Sequence, residues 1–280
     1  MKPVTEREPD GLVQLGTKLK LRTYLRELWS RRDFAITAPL GDLRAQNMNS
    51  VLGSFWHLLN PLLLAGVYFL VFGVILGVRD DVPNFVAFLV IGIFIFHFTA
   101  KSLAGGSRAV IANLPLMQSM SFPRLVLPIS AMLTEAIAQV PAILTMFVII
   151  AITGEPITWL WLLVLPAFML QSLFNFGLAC IISRLTFHFR DVQNLLPYAT
   201  RLLLYLSGVF YPAERIPAGT ARDLFEWNPM HVFIEVSRSL LLEQAVDPVY
   251  WGRAALWTVV VAVAGFVFFR GKENEYGRGY

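Results

Sequence analysis

Residues 52–62 read L-G-S-F-W-H-L-L-N-P-L, and they mark the boundary between a charged N-terminal segment and a chain that is apolar for most of its remaining length. Apolar residues make up 56% of the sequence and charged residues only 15%, and the mean hydropathy is +0.60. A typical soluble domain carries about 25% charged residues. The composition therefore predicts a polytopic membrane protein, and we expect membrane lipids as partners and no nucleic acid.

Six apolar segments are long enough to cross a hydrocarbon core of about 30 Å, which requires roughly 20 helical residues. They cover approximately residues 59–78, 84–104, 127–153, 158–183, 193–211 and 251–269. If both termini are cytoplasmic, 17 of the 23 Lys and Arg residues fall on the cytoplasmic side and four on the outer side. Because cytoplasmic loops are enriched in Lys and Arg, we predict an all-α bundle with both termini inside the cell, in a bacterial cytoplasmic membrane.

The polar segments divide the chain into four predicted regions. These are a disordered cytoplasmic lead-in at residues 1–17, an amphipathic interfacial helix and the approach to the first span at residues 18–57, a transmembrane domain at residues 58–270, and a cytoplasmic tail at residues 271–280. The amphipathic helix combines basic residues with Leu, Tyr and Trp at helical spacing, which is typical of a helix that lies on a membrane surface.

Two segments between spans are longer than simple connections. In the cytoplasmic loop, residues 105–126, we expect a short helix broken near Pro115, which is either a docking point for a partner or a plain surface turn. In the outer segment, residues 212–250, we expect one or two re-entrant or interfacial helices, with Asn228 as an N-cap and Pro229 at the first helical position. Irregular backbone at membrane depth lies against protein or a water-filled cavity, which favours an exit for a transported substrate.

Motifs for nucleotide binding or catalysis are missing from the sequence. The nearest approach to a phosphate-binding loop, G265-F-V-F-F-R-G-K-E, has five residues between its glycines and no Ser or Thr after Lys272. The His residues have no Cys or carboxylate at metal-ligand spacing. We therefore expect no catalytic residue and no bound cofactor or metal. A membrane-embedded glycosyl- or acyltransferase is an alternative, although it would need clustered carboxylates or a His/Asp pair at a membrane face.

Two charged residues inside the predicted spans are candidates for a functional role, because a charge at membrane depth is costly. Arg201 falls about two turns into the fifth span and Glu135 about two turns into the third. Either the two side chains form a structural ion pair, or Arg201 faces a polar passage and meets an anionic substrate.

Three groups of segments, in the same order and spacing, resemble the membrane subunit of type 2 ABC exporters, in the branch that exports polysaccharides and polyol phosphates. The segments are R32-D-F with V51-L-G-S-F-W-H-L-L-N-P-L, then F122-P-R-L-V-L-P, then F189-R-D-V-Q-N-L-L-P with L206-S-G-V-F-Y-P, I216-P and W227-N-P-M. The motif residues are Trp56, Asn60, Pro61, Pro123, Arg124, Arg190, Asp191, Asn228 and Pro229. Many members of this family have Ser-Pro where this chain has Ser207-Gly208. The sequence therefore differs from the family pattern at the predicted bend that ends the fifth span.

The resemblance implies a homodimeric permease that pairs with two copies of a separate ATPase subunit, which would hold the ATP and Mg²⁺. It implies an ATPase-contacting set, Arg31, Arg32, Arg108, Asn113, Leu116, Met117 and Gln118, and a translocation path with an outer gate, Arg201, Tyr205, Phe210, Tyr211 and Trp227. The implied substrate is a lipid-linked polysaccharide, and the chain also resembles actinobacterial exporters of cell-wall galactan. A type 2 exporter of a drug or lipid is the alternative within the same fold.

Overall fold

The computed structural model describes residues 55–75, 77, 82–119, 122–273 and 276, together with positions 24, 26, 28, 29, 37, 39 and 41. All regular secondary structure in these residues is helical, which confirms the predicted all-α membrane fold. The predicted lead-in at residues 1–17 and the predicted contact residues Arg31 and Arg32 lie outside the described residues.

Nine α-helices follow one another along the described part of the chain from residue 55 onward. They are α1 (Trp56–Tyr68), α2 (Phe85–Ala109), α3 (Leu114–Ser119), α4 (Val126–Ile152), α5 (Val164–His188), α6 (Val192–Tyr205), α7 (Thr220–Glu226), α8 (Pro229–Leu241) and α9 (Pro248–Gly271). A π-helical segment, Phe69–Ile75, continues α1, and 3-10 turns at Ile111–Asn113 and Trp159–Leu163 lead into α3 and α5.

Four described helical segments are long and apolar enough to cross a membrane: Phe85–Gln118, Val126–Ile152, Trp159–His188 and Pro248–Gly271. They overlap the second, third, fourth and sixth predicted spans, and the first of them continues beyond the predicted span into the predicted cytoplasmic loop as far as Gln118. The first predicted span corresponds to α1 and its π-helical continuation. The fifth corresponds to α6, which has 14 residues and is about 21 Å long at about 1.5 Å per residue, shorter than a hydrocarbon core. The six-span topology stays a prediction.

The central element is α2, which packs against α1, α4, α5, α6 and α8. Helices that are apolar all round belong in the interior of a bundle, and 17 of the 25 residues of α2 are buried. Hydrogen bonds join it to α5: the Gln171 amide donates to the carbonyl oxygen of Ile95 at 2.8 Å, and the Thr99 hydroxyl donates to the Asn175 side chain at 2.8 Å. Such bonds link helices where lipid offers no alternative partner.

The outer segment forms two helices, α7 and α8, and their re-entrant or interfacial position stays a prediction. Helix α8 packs against α2, α5 and α9, and every residue from Met230 to Leu241 is buried except Glu235. The predicted cap is confirmed, since the Asn228 side chain accepts a hydrogen bond from the amide of Met230 at 2.9 Å and Pro229 stands in the first turn. α8 is therefore part of the bundle core, whereas α7 contributes only Phe225 as a buried residue.

Candidate functional site

One face of α6 carries polar and aromatic side chains that the described part of the chain leaves uncovered. Asn194, Tyr198, Arg201 and Tyr205 are all exposed, and they differ by three or four positions, which aligns them along one side of a helix. We call these four residues the α6 surface. Every residue of α6 is described, and only Leu204 is buried. The α6 surface is therefore a polar, aromatic strip on a predicted span.

The outer end of α6 is tied to α1 by a group of aromatic rings. Phe210 is fully buried, and its ring centroid lies 4.3 Å from Tyr68, 4.5 Å from Phe72 and 5.4 Å from Tyr205. The Tyr68 hydroxyl interacts with Tyr205 and with the charge of Arg201. The structure thus brings the predicted gate residues Tyr205 and Phe210 together, with Phe210 as an internal anchor and Tyr205 at the surface.

The other two predicted gate residues occupy different positions. The Tyr211 hydroxyl donates to the carbonyl oxygen of Tyr205 at 2.7 Å, so Tyr211 closes the turn that follows α6. Trp227 is 44% exposed and lies against α9, where its carbonyl oxygen accepts a hydrogen bond from the Trp257 indole at 2.9 Å. The Arg253 guanidinium lies 5.1 Å from the centroid of the Trp227 ring.

The bend after α6 depends on Gly208, which has a φ of 68°. Its backbone adopts a left-handed conformation, which proline cannot adopt because its ring holds φ near about −65°. A Cβ at this position would also lie 2.9 Å from the His231 ring and 2.9 Å from the Phe225 ring. The chain therefore turns at this point through a backbone conformation that favours glycine.

Arg238 holds this bend in place. The sequence does not predict this role, because Arg238 lies in the predicted outer segment, where a charged residue is expected to be exposed to water. Its side chain is 2% exposed and donates to the carbonyl oxygens of Gly208 at 2.9 Å, Val209 at 3.1 Å and Phe88 at 3.1 Å. It also pairs with Glu235 at 2.8 Å. One feature of the sequence could have indicated this role. Glu235 and Arg238 are three positions apart in a predominantly apolar helix, a spacing that favours an ion pair between them.

The predicted ion pair between Glu135 and Arg201 is not formed. Glu135 lies in α4 beside Lys101 of α2, where both line one small pocket with His97. Among the described residues, the cationic side chains that act on Glu135 are Lys101 and Arg108. Arg201 is exposed on α6. The alternative interpretation, in which Arg201 faces a polar passage, is therefore the one to develop.

At the end of α2 that is predicted to be cytoplasmic, part of the predicted ATPase-contacting set is exposed and part is buried. Arg108, Ala112, Pro115 and Gln118 are exposed, and their spacing of three or four residues gives them a common side. We call them the coupling surface. Met117 is only 7% exposed, so its position assigns it to packing rather than to contact with a partner.

The remaining predicted contact residues are intermediate in exposure, and the helix break near Pro115 is confirmed. Leu116 and Asn113 are half-buried, and the Asn113 amide donates to the carbonyl oxygen of Ala109 at 2.8 Å. Pro115 stands in the first turn of α3, after the 3-10 turn that follows α2.

The motif residues that carry the resemblance are spread over the bundle. Trp56 and Asn60 are exposed near the start of α1, and Pro61 lies within that helix. Arg190 and Asp191 are exposed just before α6. Pro123 is buried in the loop before α4, and its neighbour Arg124 binds Glu273 near the C-terminus. These residues therefore mark turns and helix ends and do not form one site.

Comparison with known proteins identifies the class. Residues 42–242 match the family model for the ABC-2 type transporter, and the chain belongs to this family. It is a multi-pass transport permease of the bacterial cytoplasmic membrane, and it is not an enzyme.

Three relatives illustrate the similarity over most of each chain. The O-antigen export system permease protein RfbA of Klebsiella pneumoniae is 27% identical over 244 residues, covering 85% of this chain and 91% of that protein. The RfbA protein of Myxococcus xanthus is 28% identical over 254 residues, covering 90% and 97%. The polysialic acid transport protein KpsM of Escherichia coli is 25% identical over 242 residues, covering 84% and 92%.

Proposed function

We propose that this chain is the transmembrane subunit of an ATP-driven exporter that moves a lipid-linked polysaccharide across the cytoplasmic membrane. Relatives named for O-antigen export and polysialic acid transport support a polysaccharide as the class of substrate. The lipid-linked galactan of an actinobacterial cell wall is the first substrate to test.

The observation that carries the proposal is the exposed α6 surface on a predicted span. In a single copy, the Arg201 guanidinium and the Asn194 amide would face lipid, where a charged group is costly. A second copy of the chain that packs near α6 and α1 would cover them and leave a polar passage between the subunits. This supports a homodimer with its path at the dimer interface.

The chemistry of the α6 surface suits a glycan on a phosphate-containing carrier. The flat rings of Tyr198 and Tyr205 offer apolar faces against which sugar rings can slide. Arg201 supplies a permanent charge that binds phosphate oxygens through charge-assisted hydrogen bonds. The aromatic rings around Phe210 would narrow the outer end of the proposed passage. We therefore assign the outer gate to this region, with Tyr211 and Trp227 beside it.

Energy would come from a separate ATPase subunit, in two copies, that holds ATP and Mg²⁺. We infer that it binds the coupling surface and the N-terminal helix, whose described residues Arg26 and Trp29 are helical and exposed. Movement of α3 would then be transmitted to α2 and α4, which the short loops on either side of α3 connect directly to it.

The first prediction concerns Arg201. We expect Arg201→Ala to lower export about tenfold, equivalent to about 1.4 kcal/mol, while the amount of protein in the membrane stays near wild type because the side chain is exposed. Arg201→Lys keeps the charge and should retain most activity, and Leu202→Ala, an exposed neighbour, is the control. Export of labelled glycan and immunoblots of membranes measure both quantities. Equal losses of export and of protein in Arg201→Ala would contradict a role in the passage.

The second prediction concerns the coupling surface. Carboxylates introduced by Ala112→Glu and Gln118→Glu should reduce export roughly 5- to 150-fold, the usual range of a coupling energy of about 1–3 kcal/mol, without loss of protein from the membrane. Met117→Glu should instead lower the amount of protein, because it buries a charge. Wild-type export in the Ala112→Glu/Gln118→Glu variant would remove the assignment.

The proposed function is tested by purifying the tagged protein from its native membranes in mild detergent. A copurifying subunit with a phosphate-binding loop, and ATP turnover by the complex, are the expected results. Transport assays in reconstituted vesicles then show whether the complex moves lipid-linked galactan or a drug-like compound across the membrane. A homogeneous preparation with no ATPase subunit would overturn the proposal and favour the membrane-embedded transferase.

A further inference from the structure

Glu273 joins three segments that are far apart in the sequence. One of its carboxylate oxygens, Oε1, accepts a hydrogen bond from the Tyr24 hydroxyl at 2.9 Å and another from the backbone amide of Arg124 at 2.7 Å. Its carbonyl oxygen accepts a hydrogen bond from the Arg124 guanidinium. Glu273 follows α9, Tyr24 is a helical residue within the predicted N-terminal amphipathic helix, and Arg124 stands between α3 and α4.

The tail beyond Glu273 is anchored to the bundle by Tyr276. This side chain is fully buried, with its ring 5.0 Å from Phe187 of α5 and 4.9 Å from Phe269 of α9. Its hydroxyl donates to the carbonyl oxygen of Phe269 at 3.1 Å. Tyr276 therefore packs against α5 and α9, close to Glu273 in the sequence.

The same region encloses an apolar cluster separate from the main core. Tyr24 at 4% exposure, Met117 at 7% and Leu125 at 2% pack in it with Phe269 and Tyr276. Met117 is a buried residue of α3, and Leu125 immediately precedes α4. The N-terminal helix, the coupling helix α3 and the tail thus share one set of contacts.

Burial also bears on Glu273 itself. Loss of hydration raises the pKa of its carboxyl group above the ordinary value, while the hydrogen bonds from Arg124 and Tyr24 act in the opposite direction. Buried carboxylates are kept where they are hydrogen-bonded. The hydrogen-bonding partners, and not exposure to water, hold this side chain in place.

We infer that Glu273 and Tyr276 form a strap that links the N-terminal segment around Tyr24 to the end of the coupling loop at Arg124, with Glu273 as its positioning residue. When the ATPase displaces α3, the strap transmits this displacement to the N-terminal helix. A displacement of the N-terminal helix is transmitted to α3 in the same way. The inference rests on the proposed function, because both linked elements are those that we assign to the ATPase contact.

The test compares Glu273→Gln, Tyr24→Phe and the double variant in vesicles reconstituted with the full ATPase complex. Glu273→Gln keeps the shape but loses the charge, and Tyr24→Phe loses the hydroxyl. We expect each to lower the glycan exported per ATP hydrolysed about tenfold, with the ATPase still bound. The double variant should lower this ratio little further than either single variant, because both substitutions weaken the same junction. Asp223→Asn, an equivalent loss of a carboxylate at an exposed residue of α7, is the control.

Two outcomes would overturn the strap. One is an unchanged ratio of export to ATP hydrolysis in both single variants. The other is a loss of protein from the membrane that accounts for all of the lost export. If the wild-type complex neither binds an ATPase nor exports glycan, the proposed function fails instead, and the two failures are thereby separate.

A cross-linking measurement tests the strap without relying on export. Tyr24→Cys and Glu273→Cys are combined in a Cys180→Ala background, and intact membranes are treated with a short bifunctional thiol reagent. Rapid cross-linking that slows when ATP is added is expected of a moving junction. Absence of the cross-link, or a rate indifferent to ATP, would contradict the inference.

Discussion

Arg238→Gln is expected to lower the thermal stability of the detergent-purified protein markedly. The substitution leaves Glu235 without its partner and takes hydrogen bonds from the carbonyl oxygens of Gly208, Val209 and Phe88. Breaking a buried pair by removing one partner costs about 3–5 kcal/mol, and about 4 kcal/mol lowers the Tm of a chain of this size by roughly 10 °C. Thermal aggregation of the detergent-purified protein, followed by size-exclusion chromatography, measures the effect.

A matched control separates burial from charge in this prediction. Arg222→Gln removes a guanidinium that is 31% exposed and paired with Glu226 at 3.0 Å, and exposed pairs contribute only about 0–1 kcal/mol. We expect its Tm to stay within about 3 °C of wild type, since about 1 kcal/mol corresponds to about 2–4 °C. A similar Tm for the two variants would show that the hydrogen bonds of Arg238 do not stabilise the bend after α6.

Gly265→Ala is expected to separate α9 from α5, although it adds a single methyl group. A Cβ at Gly265 would overlap the carbonyl oxygen of Gly177, and no side-chain rotation relieves a clash with backbone. Overpacking of this kind costs typically about 1–3 kcal/mol and occasionally more. Gly177→Ala should have the same effect, since its Cβ would overlap the carbonyl oxygen of Val261. The Tm of the detergent-purified variants measures both losses.

The control for this prediction lies on the same helix. Gly252 is exposed in α9, and a Cβ there meets nothing within 4 Å. Gly252→Ala should therefore raise stability slightly, because alanine is favoured over glycine in a helix by up to about 1 kcal/mol. Opposite shifts in Tm for Gly265→Ala and Gly252→Ala are the expected result. Equal shifts would mean that the contact between α5 and α9 tolerates a methyl group.

Part of the site could be predicted because it depends on local pattern. The cap at Asn228 and Pro229, the helix break near Pro115 and the apolar spans follow from residue types at fixed offsets, which act within a few residues. The α6 surface also has a signal in the sequence, since Asn194, Tyr198, Arg201 and Tyr205 recur at helical spacing.

The rest required knowledge of which elements are neighbours. A similar depth in their spans suggests a pair between Glu135 and Arg201, but Lys101 of α2 is the cation that lines a pocket with Glu135. A place in a cytoplasmic loop predicts a surface contact for Met117, whereas it packs in the cluster with Tyr24 and Tyr276. Lipid tails are as apolar as Leu, so hydropathy alone does not distinguish a lipid-facing side from a protein-facing one.

The membrane location and the helical class follow from composition and short-range spacing, so both could be predicted from the amino-acid sequence. Three features emerge only from the three-dimensional arrangement of the helices. Arg238 is buried and bonded to the bend after α6, α8 belongs to the core, and Glu273 joins Tyr24 to Arg124. Each of these depends on a contact between positions far apart in the chain, and the free energy of such a contact is set by burial and geometry that no local pattern records.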